Sequence, residues 1–147
     1  MSKPIYEHHQ AGKLRALCTL YLLVIVMTLW LFGSDMAVVG IVSTLLGGGA
    51  VAIVTLSFSR LAVIVDTDTV RLAFGFGFPR KKIARADIIS HEVVRNSWLL
   101  GFGIRWIKGG RMWNVWGLDA VELVLANGKT FRIGTDEPQK LDTALRA

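Results

Sequence analysis

The sequence predicts an α+β chain: an N-terminal transmembrane helical hairpin followed by a seven-stranded antiparallel, partly open β-barrel capped by a C-terminal helix. Three observations lead there. Between residues 16 and 59 the only charge is Asp35, so all seventeen Lys and Arg lie outside that stretch. From residue 60 onward the pattern changes to short apolar runs separated by turn residues. The last segment then switches to a helical spacing of apolar residues. Composition sets the outer bounds. At 147 residues the chain holds one or two small units, and 52% of it is hydrophobic against 19% charged, below the roughly 25% charged usual for soluble domains. A single Cys and three Pro exclude a disulfide scaffold and a collagen-like chain, and the apolar fraction argues against disorder.

The expected organisation is a tail at 1–13, a hairpin at 14–59 with spans 14–32 and 36–58, and a β-rich domain at 60–147. A bilayer core of about 30 Å needs about 20 residues of helix. The second span meets that length, and the first reaches it if the stem of Arg15 snorkels. Only Gly33, Ser34 and Asp35 separate the two runs, so they should lie antiparallel. A cleaved signal is the weaker reading, because the first run is too long and ends in Leu29-Trp30-Leu31-Phe32 without a small-residue site. Lys3, Lys13 and Arg15 precede the hairpin, Arg60 and thirteen further basic residues follow it, and none lies in its turn. By the positive-inside rule both termini are then cytoplasmic. Gly40, Ser43, Gly47 and Ala50 recur at spacings of three or four, which makes one face of the second helix small enough for close helix packing. The partner is most simply the first helix, with a homo-oligomer seam as the sharper alternative.

In the β-rich domain, Leu61–Val65 and Thr69–Phe74 flank the turn Asp66-Thr67-Asp68 and read as a hairpin. Further strands fall at Ile88–Arg95, Phe102–Ile107 and Arg111–Trp116, with Lys108-Gly109-Gly110 as a turn. Val121, Leu123 and Leu125 alternate, and Asn127-Gly128 is a strong hairpin signal leading into Lys129–Ile133. The expected helix covers 136–146: Asp136 caps it, Pro138 sits in its first turn, Gln139 completes a capping box, and Leu141, Ala144 and Leu145 form its apolar stripe. A short antiparallel sheet with both edges open is prone to self-pairing, so it should curl into a barrel that the helix plugs.

Two charge-free spans, a basic junction, seven strands and one C-terminal helix resemble the bacterial pleckstrin-homology-like (PH-like) domain membrane proteins. The resemblance is carried most specifically by Gly101-Phe102-Gly103-Ile104-Arg105-Trp106, Asn114-Val115-Trp116-Gly117, Ala120-Val121-Glu122-Leu123, Asn127-Gly128 and Arg132-Ile133-Gly134-Thr135-Asp136-Glu137-Pro138. It implies a PH-like barrel and a multi-pass location in the bacterial inner (cytoplasmic) membrane. It brings no catalytic residue set and does not imply phosphoinositide binding.

Chemistry-bearing clusters are sparse. His8 and His9 lie in a polar tail, and His91 sits between Ser90 and Glu92 with no nucleophile or orienting group in view. Gly75-x-Gly77 and Gly101-x-Gly103 lack the third glycine and the strand–loop–helix context of a dinucleotide loop. No catalytic residue, metal or cofactor is therefore expected. The strongest binding candidates are Arg60 and the run Arg80, Lys81, Lys82 and Arg85, placed in a loop, which suits anionic lipid head groups or is simply a solvated loop. Trp98, Leu99 and Leu100, also in a loop, suit a partner surface or cap the barrel mouth. Nucleic acid is disfavoured, because the basic loop lacks interleaved aromatic residues. The functional expectation is a non-catalytic, membrane-anchored module presenting a protein-interaction surface. Head-group binding through residues 80–85 is the alternative, and an enzyme the least favoured class.

Overall fold

The structure is a computed structural model and describes residues 4–12, 14–32 and 37–147. Within its helices the side chains at 14–18, 28–29, 31–32, 37–41 and 43 fall outside the description. In chain order the elements are β1 (Tyr6–Ala11), α1 (Leu14–Phe32), α2 (Ala37–Ser57), β2 (Arg60–Val65), β3 (Thr69–Phe74), β4 (Arg80–Ala84), β5 (Ile88–Arg95), β6 (Gly103–Ile107), β7 (Gly110–Asn114), β8 (Asp119–Leu125), β9 (Thr130–Gly134) and α3 (Pro138–Arg146). Sheet one has the order β1-β2-β3-β4 and sheet two the order β5-β8-β9-β7-β6. All neighbours are antiparallel except β7 and β9, which run parallel.

Period-two alternation explains the layering. Leu61, Val63 and Val65 on β2 and Val70, Leu72 and Phe74 on β3 are all buried, because every second side chain of a strand points to the same face. Val121 and Leu123 on β8 with Phe131 and Ile133 on β9 meet them from sheet two. Phe74 joins the layers: its ring lies 4.9 Å from that of Phe58 and 5.1 Å from that of Trp113. Each such side chain removed from water contributes about 1.5–3 kcal/mol. Leu141, Ala144 and Leu145 of α3 cover the remaining side of this core. The β8–β9 turn uses Gly128 at a φ of +74°, a backbone conformation that glycine adopts without steric cost. A Cβ on Gly110 would overlap the Thr130 carbonyl oxygen, so a side chain there would break the parallel β7–β9 contact.

The seven-stranded, PH-like, partly open barrel expected from the sequence is not what forms. Among the described residues, nine strands split into two sheets that do not close on each other. Two strands come from segments that read as tail and loop, β1 and β4. The edges β1 and β4 of sheet one and β5 and β6 of sheet two each have a single strand neighbour.

The transmembrane expectation is corrected as well. Among the described residues no helix is long and apolar enough to cross a membrane. This overturns the transmembrane hairpin, the bilayer as integral partner, and the multi-pass inner-membrane location with cytoplasmic termini. The expected turn at Gly33–Asp35 lies outside the described residues.

What the described residues show is a helix pair inserted between β1 and β2. The Gly12 N–H donates to the Ser59 carbonyl oxygen at 2.7 Å, and the Gly75 N–H to that of Ser57 at 2.8 Å. These bonds clamp the base of the pair to sheet one. Along the α1–α2 seam Gly48 is buried, and a Cβ there would meet Ile25 Cδ1 at 3.3 Å. Gly47 and Ala50 are exposed, so the close approach falls one residue away from the expected face. Gly40 and Ser43 lie outside the described side chains.

β1 packs through Tyr6, whose hydroxyl is buried beside Thr135 without a partner in good hydrogen-bond geometry. Burial pushes its phenol from the ordinary 10.0 up to about 12; the nearby Glu137 and Asp136 carboxylates add to the rise and the Thr135 hydroxyl opposes it. The fold thus favours the neutral phenol. Above pH 10 an unfolded chain releases this proton while the folded chain keeps it. The contribution of Tyr6 to stability is therefore complete below pH 10 and is lost as pH rises from 10 towards 12. A phenolate-absorbance titration of the chain against Tyr6→Phe checks this. A phenol titrating near pH 12 should vanish in the variant, and a Tyr6 transition near pH 10 would contradict the packing of β1.

Candidate functional site

The basic run expected in a loop is strand β4. Its register against β3 pairs Arg71 with Lys82 and Ala73 with Arg80, while Ala73 also faces Ala62 of β2. Five side chains on the outer face of sheet one follow from this: two alanines form a low floor, and Arg80, Lys82 and Arg71 rise around it. The result is a groove of about 610 Å³ whose walls include Ala62, Ile64, Arg71, Ala73, Arg80 and Lys82. Placing like charges directly opposite one another is unfavourable by a few tenths to about 1 kcal/mol. Arg71 relieves part of this by pairing with Asp66 at 2.8 Å. Among the described residues, Arg60, Arg80 and Lys82 have no carboxylate partner within ion-pair distance.

The other face of β4 is different. Lys81 points inward and lies 5.1 Å from the centre of the Phe131 ring. It borders a second groove of about 550 Å³, shared with Trp106, Arg111, Leu125, Lys129 and Phe131. There the Arg111 guanidinium lies 4.2 Å from the centre of the Trp106 ring, and Trp106 is 74% exposed. A smaller recess of about 290 Å³, walled by Lys81, Lys82, Ile83 and Leu125, connects this side to the strand edge. Strand β4 thus runs between a basic groove with an alanine floor and an aromatic groove with a cationic rim.

Not every expected residue belongs to this surface. Arg60 is exposed at the start of β2. Arg85 is a clamp: its guanidinium donates to the Leu145 carbonyl oxygen at 2.9 Å and to that of Asp66 at 3.4 Å, tying α3 to the β2–β3 turn. Trp98 and Leu99 are 76% and 74% exposed and Leu100 is half-buried, but none of the three lines the grooves beside β4. Their loop carries the chain from β5 at one edge of sheet two to β6 at the other. It is pinned at both ends. The Asn96 side-chain oxygen accepts from Arg132 Nη1 at 2.8 Å, and Arg132 in turn pairs with Glu122. Phe102 stacks on Trp116 at 4.9 Å.

His8 and His91 join elements of the fold. His8 meets Asp136 at 2.6 Å and Glu137 at 3.5 Å, which fastens β1 to the start of α3. Asp136 therefore does not cap the helix; Glu137 occupies the cap position and makes no side-chain cap bond. His91 meets Asp142 at 2.8 Å, and Asp142 also pairs with Arg146 at 2.7 Å, which seats α3 on β5. Among the described residues no group of three or more His, Cys, Asp and Glu side chains is placed to hold a metal ion.

Sequence reasoning missed Arg71, Lys129 and Phe131. Arg71 was legible as the outward position of an alternating strand. Lys129 and Phe131 come from the β8–β9 turn and β9, and only the parallel β7–β9 pairing brings them beside Trp106 of β6 and Arg111 of β7. No protein-family model and no curated protein matches the chain.

The two classes of basic residue should separate in stability. Arg80→Glu with Lys82→Glu changes two exposed side chains and should leave unfolding free energy within about 0.5 kcal/mol. Arg85→Ala removes two charge-assisted hydrogen bonds and should cost about 1–2 kcal/mol. Denaturant titrations compare them, and an Arg85→Ala variant as stable as the parent would contradict the clamp.

Proposed function

We propose that this chain is a non-catalytic protein-binding module whose working surface is the basic edge at β4, and that it takes an acidic segment of a partner protein. One observation carries the reading. Three consecutive cations, Arg80, Lys81 and Lys82, stand on an edge strand between two grooves, with no carboxylate of the described chain paired to them. A solvated loop would not hold its charges in fixed register, whereas a strand does. The net charge of +6 favours encounter with an acidic partner over a basic one. Any one exposed ion pair contributes only about 0.2–1 kcal/mol, so several must act together, and the aromatic groove adds apolar contact area beside them.

The test uses the purified full-length chain and a fluorescent ten-residue peptide of alternating Glu and Val, read by anisotropy. Binding should weaken as salt rises. It should drop at least about tenfold in the Arg80→Glu, Lys81→Glu, Lys82→Glu triple variant, the factor that about 1.4 kcal/mol represents, and stay unchanged in Lys140→Gln on α3. Equal binding of a Lys–Val counterpart would overturn the proposal. So would a triple variant that binds like the parent, or a chain that takes single-stranded oligonucleotide or anionic vesicles but not the peptide.

A further inference from the structure

We infer that the acidic segment docks on β4 as an added fifth strand of sheet one, and that its side chains alternate between acidic and apolar. The inference rests on the proposal that the β4 edge takes an acidic protein segment, and it adds how that segment is read.

The backbone supplies the first half of the argument. The Phe74 N–H donates to the Pro79 carbonyl oxygen at 3.0 Å, and the Arg85 N–H to that of Asp68 at 2.9 Å. In an antiparallel ladder, residues alternate between directing their N–H and C=O at the neighbour and directing them away. With Pro79 and Arg85 both turned to β3, so are Lys81 and Ile83. Arg80, Lys82 and Ala84 then direct their backbone groups outward from the sheet. Among the described residues, sheet order places no strand beyond β4, so this is a ready template for main-chain pairing.

The side chains supply the second half. An added strand would send alternate residues to opposite faces. On the outer face it would meet Arg80, Lys82 and Arg71 around the alanine floor, which suits Asp or Glu. On the inner face it would meet the half-buried Leu125 and the exposed Trp106, with Ile83 and Phe131 buried beneath them, which suits apolar residues, with Lys81 over the Phe131 ring at the boundary. The two grooves differ in chemistry, so the reading has a polarity: acid outward, apolar inward.

Lysine on an edge strand commonly serves only to block unwanted pairing. That role and this one are compatible. The same charges repel a second copy of β4 and attract an acidic strand, which gives specificity by repulsion and attraction together. Blocking alone accounts for the cations, but not for grooves of about 610 Å³ and 550 Å³ on either side of the strand.

The experiment compares four peptides of identical charge on the full-length chain: the alternating Glu–Val ten-mer, its block isomer with all Glu before all Val, and two alternating versions N-methylated at one or the other set of every second residue. Strand addition predicts that the block isomer binds at least about tenfold more weakly. It also predicts that one N-methylated peptide loses binding while the other stays within about twofold of the parent, because only one set of amides faces β4. Equal binding of all four peptides, still abolished by the triple charge reversal, would overturn strand addition and leave the acidic-partner function standing. Loss of charge dependence altogether would overturn both.

Discussion

The contact between Phe74, Phe58 and Trp113 is what the rest of the architecture depends on. It brings β3, the end of the α2 segment and β7 to one point, so sheet one, sheet two and the helix pair share a single apolar centre. Neither sheet could persist alone with one apolar face open to water, since few-stranded sheets need a second layer to bury that face. Once the two layers are held at this point, α3 has one uncovered flank to fill. It does so with Leu141 and Leu145 and locks on through His91–Asp142 and Arg85.

The same constraint decides what remains outside. Because the sheets meet face to face and do not close edge to edge, β4 stays an edge, and its alternation sorts Arg80 and Lys82 from Lys81 and Ile83. The proposed binding surface is thus a direct consequence of the core: inward residues of β3 fix the register, and the register presents the cations. The helix pair is also left outward-facing. Leu23, Val26, Leu46 and Ile53 are exposed by more than half.

Legibility in the sequence followed how local each signal was. The β-rich run Leu61–Val65, the alternation in Val121–Leu125, the Asn127-Gly128 turn and the stripe Leu141, Ala144, Leu145 are set by neighbours a few residues apart, and each was readable. β1 was not, because its composition is polar and its partner, β2, lies beyond both helices; pairings such as His8 with Val63 leave no local trace. β4 was read as a loop since Arg80-Lys81-Lys82 carries no apolar alternation, yet pairing with β3 holds it extended. The basic candidates Arg80, Lys81 and Lys82 were found by charge, whereas Arg85 looked identical in sequence and proved to be a clamp. The aromatic half of the site required the parallel β7–β9 pairing, which no turn signal announces.

The central claim is that β4 is a paired strand on its β3 side and open on the other. Residue-resolved amide hydrogen exchange of the unliganded full-length chain tests it most directly. The account predicts slow exchange at Lys81 and Ile83 and fast exchange at Arg80, Lys82 and Ala84. Uniform protection along β4 would mean its outer edge is already covered, and uniform fast exchange would mean it is no strand; either result would contradict the account.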